Sequence, residues 1–112
     1  MTTPNAVGEI ALTIRDVKYI LKPSVRWLLR IEETTDRGLV ELIGAIAEGK
    51  LRFGHMAVII NHGIMAAGLS QREAPSVEDV AGWLMEDGNL QEATTPIVMF
   101  LKEALNAGPK KL

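Results

Sequence analysis

The feature that most constrains the fold lies near the amino terminus, in the segment GEIALTIRDVKYILKP. Its apolar residues alternate, and side chains two apart in a strand share one face. Ile10, Leu12 and Ile14 fall on one face. After Arg15-Asp16 the alternation resumes with Val17, Tyr19 and Leu21. A two-residue turn at Arg15-Asp16 would pair Ile14 with Val17, Leu12 with Tyr19 and Ile10 with Leu21. All three pairs then lie on the same face, so register and apolar pattern agree. The turn departs from the Asn-Gly or Asp-Gly that tight primed turns prefer. A lone two-stranded hairpin is marginal in water. The segment 9–22 is therefore expected to lay its apolar face on the rest of the chain.

Beyond the hairpin the chain reads as helix. Lys22-Pro23 ends the second strand, because proline offers no N–H to a ladder. Ser24 can cap a first helix at about 25–34, with Trp27, Leu28 and Ile31 as its apolar stripe. A second, at about 39–48, carries Leu39, Leu42, Ile43 and Ile46 at helical spacing and stops at Gly49. The third, at about 53–67, is the most apolar. Its stripe is Phe53, Met56, Ala57, Ile60, Ile64 and Ala67, widened by Val58, Ile59 and Met65, which marks a central helix. Ser76-Val77-Glu78-Asp79 is a capping-box pattern that opens a fourth helix at about 77–87, ended by Gly88. A fifth, at about 90–106, has Asn89 as its candidate cap and is expected to run as one kinked helix through Pro96. Residues 1–7 are expected to be a flexible arm and 108–112 a flexible tail. The chain is thus expected to be a single α+β domain over 8–107, mostly α, with a hairpin packed on four to five short helices.

At 112 residues the chain can bury roughly two-thirds of its unfolded surface. Its 12 basic and 14 acidic residues give a net charge of -2, against a dominant role on nucleic acid or membrane surfaces. With no cysteine, disulfides, thiolate zinc sites and cysteine nucleophiles are excluded. The amino terminus shows no secretory pattern, and the apolar region from Met56 to Leu69 is too short and too broken to span a bilayer. No membrane association is expected.

The order and spacing of these parts, from about Gly8 to Leu105, resemble a known family: the small phage and gene-transfer-agent tail proteins read as tail assembly chaperones. The hairpin leading into KPS is similar to the family's strand ending in a basic residue and proline. IEETTDRGLVELIGAIAEGKL resembles its passage of Glu-Glu-x-Thr-x-x-Gly, Leu-x-x-Leu and a small-residue helix ending in Gly. The apolar helix ending in AAGLS and the SVEDVAGWLMEDG helix come next in the same order. The turn lacks the family's glycine, and Pro96 interrupts a helix usually rich in alanine and leucine. The resemblance implies a protein that keeps a tape-measure protein soluble until tail-tube subunits polymerise around it. It implies the bacterial cytoplasm, with virion association as the alternative if the chain is a retained structural component. It implies no cofactor, no small-molecule substrate and no catalytic residue.

The residues themselves point the same way. His55 and His62 are seven apart on the third helix, whereas a helical metal pair normally uses i, i+4 spacing, so no metal is expected. Ser24, Ser70 and Ser76 lack a nucleophile-elbow setting. Glu32-Glu33 and Glu86-Asp87 are adjacent in sequence and do not face each other. The glycines fall where helices end rather than in a phosphate loop. No nucleophile, base and orienting group come together, so an enzyme is not expected. A small helix-turn-helix regulator is disfavoured by the acidic fourth helix, since recognition helices are basic. From Glu73 to Glu103 there are seven acidic residues against Lys102 alone, which disfavours DNA and suits a basic partner surface. Three residues are candidate partner contacts: Trp27, Trp83 and Met85. Trp83 lies off the Val77, Val80, Leu84 stripe and is a candidate for a partly exposed anchor, the alternative being that a second helix covers it. Its truncation is accordingly expected to weaken client binding and spare the fold.

Overall fold

The structure, a computed structural model, describes residues 8–110. The elements in order are β1 (Ile10–Ile14), β2 (Val17–Leu21), α1 (Val25–Thr35), α2 (Leu39–Ala47), α3 (Phe53–Ala66), α4 (Val77–Leu84) and α5 (Asn89–Lys110). This is the mostly helical α+β architecture that the sequence implies. The expected arm at 1–7 and the last two residues of the expected tail lie outside the described residues. Helix α5 continues through 108–110, where a tail was expected.

The strands pair in the register that the alternation dictates: Ile10 opposite Leu21, Leu12 opposite Tyr19, Ile14 opposite Val17. Arg15 and Asp16 both adopt left-handed backbone, with φ of 48° and 69°. That is the conformation a two-residue primed turn demands, reached here without glycine. The turn is tied down on one side, because Arg15 forms a 2.6 Å ion pair with Glu86 just beyond α4. Ile10, Leu12, Ile14 and Leu21 are buried, but Val17 stays 49% exposed, so at the turn end the apolar face is covered on β1 and open on β2.

Helix α3 packs against α1, α4, α5 and β2, while β1 and α2 pack on α5. Its Met56, Ala57, Val58, Ile59, Ile60, Gly63 and Ile64 are all buried. Phe53 and Ala67, at its two ends, are exposed instead of completing the stripe. Against α3 lies the periodic face of α5, formed by Ala93, Ile97, Phe100, Leu101 and Ala104. Helix α5 runs through Pro96 as one element.

Caps close the helix ends. Ser76 Oγ accepts from the Asp79 amide at 3.0 Å and Asp79 accepts from the Ser76 amide at 3.3 Å, which completes the capping box. At the start of α2, Gly38 has no side chain to offer, and two carboxylates serve instead. Glu41 accepts from the Gly38 amide and Glu32 from the Leu39 amide, each at 3.0 Å. Asn89 does not cap α5. Its side-chain amide donates back to the Trp83 carbonyl at 2.8 Å.

Not every glycine is a helix stop. Gly63 sits inside α3, where Leu21 presses on its backbone and the Lys22 amide donates to its carbonyl at 3.2 Å. A Cβ on Gly63 would meet Leu21 side-chain carbons at 3.0 to 3.1 Å, so the wholly buried Leu21 would have to shift within the core. Alanine gains about 1 kcal/mol of helix propensity over glycine. The clash outweighs that gain, so Gly63→Ala is expected to destabilise by about 1–2 kcal/mol in a urea titration. Combined with Leu21→Ala, the same change is expected to cost clearly less than the sum of the two.

Candidate interaction surface

Helix α1 is the least covered of the helices that touch α3. Ser24 Oγ faces the Trp27 amide at its start, and Thr35 Oγ1 bonds the Ile31 carbonyl at 2.8 Å near its end. Ile31 and Thr35 are buried. The opposite side carries Val25 and Leu29, which are 72% and 61% exposed. They stand one turn apart on a single ridge, flanked by Arg26 and Arg30, both exposed.

Trp27 is half-buried between α1 and α3. Its ring meets the His62 imidazole edge-on, with centroids 5.2 Å apart and planes at 76°. The Arg30 guanidinium lies 4.9 Å from the same ring. His62 Nδ1 sits 3.0 Å from Asn61 Oδ1, and the Asn61 amide donates to the Pro75 carbonyl at 2.8 Å. One polar and aromatic chain thus runs from α1 through α3 to the loop before α4. Trp27 is fixed in it, with the Arg30 guanidinium against its ring at the surface.

The other two candidates part company. Trp83 is 4% exposed and belongs to the core with Val80 and Leu84. A surface anchor it is not. Trp83 stands three residues after the buried Val80, so the two are helical neighbours, and the packing of the other helices widens the buried face to include it. Met85 is 70% exposed at the end of α4, beside the Glu86 that holds Arg15. Trp27 makes its ring contacts with His62 and Arg30, on a different helix pair from Met85. The three residues therefore form no common site.

Concave sites are small or already used. An apolar cleft of about 100 Å³ is lined by Ile46, Gly49, Leu51, Met56, Leu90 and Thr94, well below the roughly 300 Å³ of an ordinary ligand pocket. A wider polar depression at Glu32, Asp36, Arg37, Gly38 and Glu41 contains the two carboxylates that cap α2. Among the described residues no three acidic or histidine side chains gather as a metal site would need, and no helix is long and apolar enough to cross a membrane. Exposed apolar side chains include Val40, Phe53, Met85 and Met99 as well as the Val25 and Leu29 pair on α1, which share one helix face.

Residues 7–107 match a protein family described as phage tail tube protein, GTA-gp10. The chain belongs to that family. It is therefore a tail protein of the phage and gene-transfer-agent type. The matched span takes in every element from β1 through most of α5. Neither a curated protein nor a solved structure gives a match.

Two changes test the assignment of core and surface in this tail protein. Trp83→Ala is expected to cost about 3–5 kcal/mol, as large aromatic truncations in cores do. Met85→Ala is expected to stay within about 0.5 kcal/mol of the parent in the same denaturation experiment. The histidines give a pH dependence. Burial and the Arg30 charge push the His62 pKa below its usual 6.5, and burial with Arg52 and Arg37 lowers that of His55. Just below pH 6.5 the unfolded chain then binds more protons than the folded one. Stability is full above that value and declines as pH falls toward the lowered folded values. Thermal melts between about pH 7.5 and pH 5.5 are expected to show the decline, and His62→Gln to flatten it.

Proposed function

We propose that this tail protein is a non-enzymatic assembly chaperone, one that holds a tape-measure or tail-tube protein in the host cytoplasm while the tail is built. The observation that carries the proposal is the exposed ridge of Val25 and Leu29 on α1. A folded protein gains nothing for its own stability by keeping two branched aliphatic side chains in water. Such a ridge suits a helical client, whose apolar residues recur at helical spacing. Its small size suits a contact that must later be released, since permanent assemblies bury large and more hydrophobic interfaces.

A second reading is a component of the tube itself, and the family's description as a tail tube protein favours it. The two differ in where the protein ends up. Under the chaperone reading, a tagged copy expressed during particle production captures a tape-measure or tail-tube protein, and mass spectrometry of purified particles finds the chain absent. Stoichiometric copies in finished particles would replace the chaperone by the tube component.

A further inference from the structure

We propose that the outward face of α1 binds an amphipathic helix whose apolar stripe is flanked by acidic residues. This rests on the chaperone reading and names the chemistry of its client. Charge carries the inference. Residues 17–31 contain Lys18, Lys22, Arg26 and Arg30 and no acidic residue; on α1 itself the exposed Glu33 follows and Glu32 is tied to the Leu39 amide, so the outward face keeps a net positive charge, whereas the stretch from Glu73 to Glu103 is strongly acidic. Arg26 and Arg30 are four apart on one helix, and like charges at that spacing repel. Among the described residues neither makes an ion pair, because the two that form are Arg15 with Glu86 and Lys50 with Glu48. Arg30 is braced by the Trp27 ring, which orders its guanidinium without neutralising it.

An acidic partner supplies what the fold leaves out. Carboxylates beside its apolar stripe would meet Arg26 and Arg30 while the stripe covers Val25 and Leu29. Ridges of one helix settle into the grooves of another, so a helix is the shape that fits this convex surface. From Val25 to Glu33 the face is about 12 Å long, two to three turns of a partner. The acidic α4–α5 side repels the same client and steers it to α1.

The test uses the full chain and two labelled helical peptides of roughly 18 residues, or five turns. Both carry leucine at i, i+3, i+4 and i+7; one is flanked by glutamate, the other by lysine. Fluorescence anisotropy is expected to show at least a tenfold preference for the glutamate peptide, weakening as salt is raised from roughly 0.05 to 0.5 M. Leu29→Glu is expected to weaken binding about tenfold at an unchanged thermal midpoint, since Leu29 is on the surface. The pair Arg26→Glu with Arg30→Glu is expected to reverse the preference toward the lysine peptide, which a merely structural role for the arginines would not do.

Equal binding of the two peptides overturns the proposal, as does binding indifferent to Leu29→Glu. So does a wild-type dimer, seen by sedimentation and lost in Leu29→Glu, that excludes the peptide; the occupant would then be a second copy. Capture of anionic vesicles by these residues in place of the peptide overturns it as well. Failure of the two readings is distinguishable. If the Leu29→Glu protein still captures its tail client from cells, the site is wrong and the chaperone stands. If the glutamate peptide binds as expected but no tail protein is captured, the surface stands and the chaperone reading falls.

Discussion

The approach of β2 to the backbone of α3 at Gly63 organises this molecule. Leu21 lies on the glycine and the Lys22 amide bonds its carbonyl, so strand and helix touch without an intervening side-chain layer. A two-stranded sheet cannot stand alone. Here it becomes part of a core because one of its strands is locked to the central helix and the other, β1, rests on α5. The contact also sets where the chain is released into α1, since Pro23 and Ser24 come immediately after it.

Around α3 the interactions divide by type. Its apolar residues serve the core with α4 and α5. Its polar residues, Asn61 and His62, face the margin and tie α1 to the loop before α4 through Trp27 and Pro75. These two side chains are bonded, in keeping with the cost of an unpaired buried polar group, whereas His55 at the start of the helix buries its Nδ1 without a hydrogen-bond partner. The interruption of an otherwise continuous apolar run is thus structural. It would break a membrane span, and here it fastens two neighbours.

The surface is divided as well. The stretch through β2 and α1 carries basic charge and exposed aliphatic side chains, and the stretch through α4 and α5 is acidic. A near-neutral total charge conceals this separation. For a protein of the phage tail family, which works among other tail proteins, the separation matters more than the total.

Much of this could be read without coordinates. The hairpin register comes from alternation, because a slip of one residue would turn every apolar side chain outward. The helix starts at Ser24 and Ser76 come from local capping chemistry, and the centrality of α3 from its composition. These are short-range properties, set by the spacing of neighbouring residues. The tertiary structure decided the rest. Trp83 went inward, because neighbours from other helices determine how wide a buried face becomes, and a stripe drawn on one helix does not include them. Val25 and Leu29 lie outside the α1 stripe and stay exposed, since exposure depends on what fails to pack there. Gly63 looked like an interruption and proved to be a contact, because only the arrival of a distant strand gives a missing side chain its meaning.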